Sequence, residues 1–219
     1  MKISLPGRED APCLSKILCI GRNYADHAAE MGSDVPDEPM VFLKPPSAVV
    51  RSGEAVRVPP QSSNVHHEVE LVAAIGQGGA DISVDRALDH VAAYAVGLDM
   101  TARDVQQAAK QRRHPWSVAK GFDTFAPLGA FVPARLVVDP QQLRIECVVN
   151  GTTRQAASTD AMIFSVAELV AYCSTIFTLT PGDLIYTGTP EGVGPVVPGD
   201  SITATISNLP SLEVSVRRR

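Results

Sequence analysis

Residues 68–75 read EVELVAAI and residues 92–99 read AAYAVGLD. The first half of the first segment alternates acidic and apolar side chains, and the second segment consists of apolar and small residues that end in an acid. Short apolar runs of this kind are typical of buried strands. Alternate side chains of a strand share a face, so Glu68 and Glu70 point the same way. The two segments therefore predict neighbouring parts of a sheet that present three carboxylates, those of Glu68, Glu70 and Asp99.

The remaining pattern adds more strands than helices, and the two types do not alternate regularly. Strands are predicted at residues 16–21, 41–44, 56–58, 143–149, 184–188, 201–206 and 212–216. Helices are predicted at residues 24–31, 83–90, 101–113 and 165–177. This order favours an α+β fold with a mixed sheet over a doubly wound parallel fold. The length of 219 residues predicts one domain, residues 1–219.

Three local signals fix where elements begin or turn. Ser165 and Glu168 have the spacing of a capping box, which predicts a helix start. Thr101 and Asp104 are spaced like an N-cap residue and its N3 partner, which predicts a second start. The dipeptide at 150–151, Asn-Gly, predicts a hairpin turn because both central positions of that turn need positive φ.

Composition excludes several classes of protein. The net charge is −5 and the pI is near 5.5, whereas nucleic-acid binders usually carry a basic excess. The four cysteines form no C-x-x-C pair and indicate a reducing compartment. No apolar run approaches the ~20 residues of a membrane-spanning helix, and residues 1–10 do not resemble a signal peptide. We expect a cytoplasmic protein that binds neither nucleic acid nor membranes.

The three acids allow two interpretations. Two carboxylates on one strand face repel each other, and the simplest explanation is a solvent-facing edge strand. Asp99 argues against this, because a charge that ends a buried strand is costly unless it is paired or binds a metal. Oxygen ligands suit a hard divalent cation, Mg²⁺ or Mn²⁺, and the sequence has no Cys/His cluster for zinc.

Two helices carry polar side chains with catalytic potential. His27 and Glu30 are spaced i, i+3, so that the carboxylate could orient the imidazole to take a proton from water. Arg103, Gln106 and Lys110 share one helix face near Asp99. Solvated surface contacts are the alternative explanation for both groups.

A glycine-rich turn follows the predicted strand at 184–188. Residues 186–194 read YTGTPEGVG. Backbone N–H groups and hydroxyls in such a turn can bind a carboxylate, although a tight loop without a ligand is the alternative.

Taken together, these motifs resemble the fumarylacetoacetate hydrolase family, in its short acylpyruvase and oxaloacetate decarboxylase branch. The resemblance runs in order from about residue 22 to residue 200. It rests on GRNYADHAAEMG, EPMVFLKPPSAVV, VHHEVELVAAIG, YAVGLDMTARDVQ, PWSVAKGFDTFAPLGAFVP, VNGTTRQ, MIFSVAELVAYCSTIFTLTPGDLIYTGTPEGVGP and PGD. It implies a mixed β-sandwich or β-roll with peripheral helices, and a homodimer.

The resemblance also implies roles for nine residues. The metal ligands would be the three acids, Glu68, Glu70 and Asp99. The remaining positions would activate water (His27 and Glu30), stabilise the substrate carbonyl (Lys120) and line the substrate (Arg22, Gln106 and Thr189). Segment 24–39, which is rich in turn residues, would form a mobile lid that lies open without a ligand.

The function expected from this resemblance is hydrolysis of a C–C bond in acylpyruvates, 2,4-dioxo acids such as fumarylpyruvate or acetylpyruvate, through a metal-bound pyruvate enolate. The alternatives are an oxaloacetate decarboxylase or tautomerase, and an isomerase or decarboxylase of 2-hydroxyhepta-2,4-diene-1,7-dioate in aromatic catabolism. A non-catalytic dimer that binds dicarboxylates is a further alternative. The His27–Glu30 pair argues against it, because a binding protein needs no base.

Overall fold

The computed structural model describes residues 1–7, 9–30, 32 and 34–219. The strands are β1 Ile17–Gly21, β2 Met40–Lys44, β3 Val49–Arg51, β4 Ala55–Val58, β5 Val65–His67, β6 Val69–Ile75, β7 Val91–Leu98, β8 Thr101–Ala102, β9 Ala126–Leu128, β10 Val132–Pro133, β11 Arg144–Val149, β12 Thr152–Ser158, β13 Leu184–Tyr186, β14 Gly194–Val196, β15 Ser201–Ile206 and β16 Leu212–Arg218. The α-helices are α1 Ala25–Glu30, α2 Arg103–Arg112, α3 Ser117–Lys120 and α4 Val166–Ile176. Four 3₁₀ helices lie between them, at Pro46–Ala48, Val84–His90, Ala134–Leu136 and Thr159–Ala161.

The strands form three sheets. The largest has eight strands in the order β2-β1-β13-β6-β7-β9-β3, with β10 also paired to β7. The second has the order β12-β11-β15-β16-β4, and the third is β14-β5-β8. Most neighbours are antiparallel, but β1 with β13, β3 with β9 and β16 with β4 are parallel. The mixed sheets confirm the α+β prediction.

The large sheet is buried on both faces, which explains the apolar run of β6. Leu71 and Ala73 pack in the main core with Ile145 and Ala204 of the second sheet, so the two sheets form a sandwich. Val72 and Ala74 of β6 face a smaller core on the opposite side. Because β6 is central and wholly buried, the interpretation of Glu68 and Glu70 as a solvent-facing edge is wrong.

Two of the three local signals are confirmed. Ser165 and Glu168 form a complete capping box at the start of α4. Residues 150–151 form the turn between β11 and β12, with φ of 50° and 76°. The helix start at Thr101 is wrong, because Thr101 belongs to β8 and α2 begins two residues later. The Asp104 carboxylate instead accepts hydrogen bonds from the hydroxyl and backbone of the 62–63 turn.

The described part of the chain contains no helix that is long and apolar enough to cross a membrane. The predicted helix at 83–90 is a 3₁₀ helix. The strand predicted at 68–75 begins at residue 69 in the structure. Glu68 lies between β5 and β6, where the chain leaves the third sheet and enters the large sheet.

Candidate metal centre and active-site cleft

Strand register brings the three acids together. Val69 pairs with Leu98, and the backbone N–H of Asp99 donates to the carbonyl of Glu68 at 2.8 Å. The two acids therefore sit opposite each other at the end of the β6–β7 pair. Glu70 lies two residues along β6 and faces the same side, where its partner in the register is Gly97. A side chain at Gly97 would clash with Val72, whose Cγ2 would lie 2.5 Å from a Cβ.

The resulting cluster has the dimensions of a cation site. Glu68, Glu70 and Asp99 are all buried, and one oxygen from each lies within 4.8 Å of the others. Adjacent ligands of an octahedral Mg²⁺ stand about 3.0 Å apart and opposite ones about 4.2 Å, given the usual metal–oxygen distance of about 2.1 Å. Sharing one ion would thus draw the carboxylate oxygens closer together by up to about 2 Å.

Two cations already contact two of these acids. The Lys120 ammonium lies 2.9 Å from Glu68 Oε2 and 2.6 Å from Asp99 Oδ2, and the Arg103 guanidinium pairs with Glu68 Oε1. Burial lowers the pKa of Lys120, but Asp99 and Glu68 outweigh it and raise that pKa above its usual value. Burial likewise raises the pKa of Glu68, whereas Lys120 and Arg103 together hold it below the usual range. Glu68 and Lys120 are therefore charged at neutral pH.

Glu70 has a different environment. Its carboxylate accepts one backbone hydrogen bond, from Gly188 at 2.8 Å, and among the described residues no cation lies within ion-pair distance. Burial, and then the negative charges of Asp99 and Glu68, raise its pKa well above the ordinary value. A divalent cation between the three acids would supply the missing positive charge, so the residues present fit a metal ion.

Lys44 lies behind the cluster, against Asp99. Its side chain is fully buried, and its ammonium donates to the carbonyls of Met100, Lys120 and Phe125 at 2.9, 2.5 and 2.8 Å. The same nitrogen lies 2.7 Å from Asp99 Oδ1. The three carbonyls accept the hydrogens of the ammonium, so Oδ1 is held by this ion pair and accepts no hydrogen bond within the described residues. It therefore keeps lone pairs that a metal could use.

The His27–Glu30 pair forms beside the acids. Glu30 Oε2 lies 3.1 Å from His27 Nδ1, and Glu30 Oε1 accepts a hydrogen bond from the backbone of Gly192 at 3.1 Å. Since His27 is buried in the cleft wall, the interpretation of the pair as a solvated surface contact is wrong. Helix α1 therefore holds His27 at the cleft, which differs from the expected open position. The mobility of segment 24–39 stays a prediction, and two of its residues, Met31 and Ser33, lie outside the described residues.

The glycine-rich turn at 186–194 binds carboxylates, as its composition suggests, but they belong to the chain itself. The N–H of Gly188 donates to Glu70 and that of Gly192 donates to Glu30. Gly188 has φ of 96°, and a Cβ there would lie 2.6 Å from the Cβ of Asn23, so only glycine fits. The turn thereby fixes the acidic cluster and the His27–Glu30 pair relative to each other.

One cleft collects these groups. It encloses about 420 Å³ of space between atoms, including its open mouth. Eight of the nine residues singled out from the sequence line it: Arg22, His27, Glu68, Glu70, Asp99, Gln106, Lys120 and Thr189. The ninth, Glu30, lies behind His27. Arg103 and Lys110 line the cleft with Gln106, so this face of α2 is part of the site and not an ordinary solvated surface.

Sequence reasoning missed four residues. Phe42 and Trp116 line the cleft with their rings 5.9 Å apart, and Lys44 lies beneath Asp99. Gln155 is buried and donates to the Thr189 hydroxyl and to a neighbouring carbonyl, both at 2.8 Å. A lysine directly before Pro-Pro, after an apolar strand, was the one signal available for Lys44, and Gln155 stood only as the last residue of the stretch VNGTTRQ.

The fold and this acidic cleft define a class of enzymes. The family model described as fumarylacetoacetate (FAA) hydrolase C-terminal matches residues 16–217. The chain belongs to the fumarylacetoacetate hydrolase family. The family members described next are enzymes.

Three relatives bring the comparison to particular proteins. A mitochondrial oxaloacetate tautomerase of Arabidopsis thaliana is 49% identical over 94% of this chain and 92% of its own length. A mitochondrial oxaloacetate decarboxylase of Dictyostelium discoideum is 45% identical over 93% of this chain and 95% of its own. The crystal structure of fumarylpyruvate hydrolase from Pseudomonas aeruginosa, in complex with Mn²⁺ and pyruvate, superposes with a TM-score of 0.93 at 44% identity, covering 100% of this chain and 96% of that one.

Proposed function

We propose that this protein cleaves a C–C bond in acylpyruvates by hydrolysis, releasing pyruvate and a carboxylic acid. The observation that carries the proposal is the oriented His27–Glu30 pair in the same cleft as the three buried acids. A base held by a carboxylate suits activation of water. The likeness to a fumarylpyruvate hydrolase that binds pyruvate supports the same substrate class.

Glu68, Glu70 and Asp99 are the residues that would hold the metal, Mg²⁺ or Mn²⁺. When bound, this ion supplies a Lewis acid that polarises the oxygens of a 2-oxo acid. The Mn²⁺ in the related fumarylpyruvate hydrolase supports this assignment.

The residues around the cluster carry the proton and the charge. Glu30 accepts the hydrogen of Nδ1, which leaves Nε2 of His27 free to take a proton from water. The resulting hydroxide attacks the distal carbonyl, and the Lys120 ammonium stabilises the negative charge that develops on the oxygen. The C–C bond then breaks with its electron pair on the pyruvate fragment. His27 returns its proton to that carbon, so that one water is consumed.

Oxaloacetate chemistry is the second candidate. A buried histidine with a fixed partner can take a proton from carbon and return it to oxygen without an attacking water, as tautomerisation requires. Relatives named oxaloacetate tautomerase and oxaloacetate decarboxylase favour this activity. Decarboxylation likewise needs no water nucleophile. The non-catalytic binder of dicarboxylates is a further outcome of the test below, and turnover of 2-hydroxyhepta-2,4-diene-1,7-dioate alone would favour the isomerase.

Turnover by the purified protein tests these proposals. We expect consumption of fumarylpyruvate, acetylpyruvate and oxaloacetate in the presence of Mn²⁺ or Mg²⁺, and loss of at least about 100-fold after treatment with EDTA. Ultraviolet absorbance of the enol forms follows all three substrates. Turnover of oxaloacetate alone would contradict acylpyruvate hydrolysis and favour oxaloacetate chemistry as the function. Binding without turnover of any of them would identify a dicarboxylate-binding protein.

The oligomeric state is a separate proposal. We expect a symmetric homodimer with an isologous interface of at least about 1,000 Å² in total. The basis is the family resemblance. Light scattering at micromolar concentration measures the mass directly, and a value near the 23.2 kDa of one chain would contradict the dimer.

A further inference from the structure

Two cations line the cleft without an acid to neutralise them. Arg22 and Lys110 both face the cleft, and among the described residues no carboxylate lies within ion-pair distance of either. Arg103 and Lys120, by contrast, are already paired with the acids of the metal cluster. The cleft therefore contains an inner pair of neutralised cations and a second pair that is open to an anion.

The backbone at Arg22 is held in an unfavourable conformation. Its φ is 58°, in the left-handed region that non-glycine residues adopt at a cost of roughly 1–2 kcal/mol. The residue lies between β1 and α1, and the next residue, Asn23, is locked by hydrogen bonds to the backbone of Phe164 and Thr187. A conformation enforced in this way, at a residue that lines the cleft, is typical of a binding position.

Lys110 approaches from α2. Its ammonium lies 5.2 Å from the centre of the Trp116 ring, a cation–π contact that holds it over the cleft. Burial lowers the pKa of Lys110, and the positive charge of Arg22 is the next cause, followed by Arg103 and Lys120. Both cations line the same cleft, where their like charges repel each other, and an anion between them would remove that repulsion.

The helix sets the distance of this pair from the metal cluster. Arg103 contacts Glu68, and Lys110 lies seven residues further along α2, which corresponds to roughly 10 Å along the axis. Gln106 lies between them on the same face and is held by Arg103 at 2.8 Å. This spacing suits a short ligand that binds the acidic cluster with one end and carries a charged group at its other end.

We propose that Arg22 and Lys110 form a subsite for a second, terminal carboxylate, and that they make the protein selective for dicarboxylic 2-oxo acids over monocarboxylic ones. The inference rests on the proposed function for the position of the 2-oxo acid group, and it adds the class of substrate tail. Charge-assisted hydrogen bonds from a guanidinium and an ammonium are the interactions that recognise a carboxylate.

Binding of two inert 2-oxo acids tests the subsite without any turnover. 2-Oxoglutarate and 2-oxopentanoate have the same chain length, and only the first has a terminal carboxylate. In calorimetry of the wild-type protein with Mn²⁺ we expect 2-oxoglutarate to bind at least about 10-fold more tightly, since a hydrogen bond to a charged group contributes that much or more. Arg22→Gln and Lys110→Gln should each reduce this preference by about 10-fold.

The matched control is Arg112→Gln, on the same helix but exposed and outside the cleft lining, which should keep the full preference. Lys110→Gln is the variant less exposed to misfolding, because Lys110 is an exposed residue of α2. Arg22→Gln alters a residue whose backbone is strained. Equal binding of the two acids by the wild-type protein, or an unchanged preference in Lys110→Gln, would overturn the subsite.

Turnover separates this inference from the proposed function. The ratio of kcat/KM for fumarylpyruvate to that for acetylpyruvate should fall by about 10-fold in either variant, because only the first substrate has a terminal carboxylate. Suppose that no acylpyruvate is turned over, but that the wild-type protein prefers 2-oxoglutarate and the two variants lose this preference. Hydrolysis is then refuted and the subsite stands. If acylpyruvates are hydrolysed with a ratio that the variants do not change, the subsite alone is refuted.

Discussion

His27→Ala should lower kcat for acylpyruvate hydrolysis by about 10²- to 10⁴-fold, the usual contribution of a general base. The reason is that Nε2 of His27 is the proposed proton acceptor, while Glu30 and the N–H of Gly192 only hold it in place. Decarboxylation of oxaloacetate by the same variant should fall less, because that reaction needs no attacking water. Steady-state kinetics of both substrates at saturating Mn²⁺ measures the difference.

The double variant His27→Ala/Glu30→Ala sharpens this test. If Glu30 acts only through His27, adding Glu30→Ala to His27→Ala should change kcat little, because residues that work as a unit are not additive. His90→Ala is the matched control, since His90 is bonded to the carbonyl of Gln77 outside the cleft. Near wild-type hydrolysis by His27→Ala would contradict the assignment of His27 as the base.

Glu70→Gln should weaken Mn²⁺ binding by at least about 100-fold, since even an outer partner of a metal ligand contributes 10- to 100-fold. The same substitution should leave the metal-free protein as stable as the wild type or more stable. Glu70 has no cation within ion-pair distance among the described residues, and a glutamine oxygen can still accept the hydrogen bond from Gly188. Electron paramagnetic resonance of Mn²⁺ and thermal unfolding in EDTA measure the two effects separately.

Asp99→Asn provides the contrast that makes the result specific. Asp99 lies 2.6 Å from the Lys120 ammonium and 2.7 Å from that of Lys44. Removing one member of a buried ion pair costs about 3–5 kcal/mol, so the metal-free variant should unfold roughly 10 °C lower. Asp85→Asn, at an exposed position in a 3₁₀ helix, should change neither property. Unaltered Mn²⁺ binding by both Glu70→Gln and Asp99→Asn would contradict the metal site.

The sequence predicted the parts of the site that depend on spacing along one element. The period of a strand placed Glu68 and Glu70 on one face, and the period of a helix placed Arg103, Gln106 and Lys110 on another. The sequence could not predict Gln155, which lies in β12 of the second sheet and donates to the Thr189 hydroxyl. Thr101 misled for a related reason, because pairing of β8 with β5 overrides a local capping signal.

The sequence by itself therefore determined the family, the α+β class and the chemical character of the site, since these depend on residue types and short-range periodicity. Only the tertiary structure decided which charges meet. The β6–β7 register brings Asp99 beside Glu68, and the packing of β2 and α3 then places Lys44 and Lys120 against them. Glu70 and Lys110 receive no such partner among the described residues, because charge pairing is set by distances of a few ångströms between segments far apart in the chain.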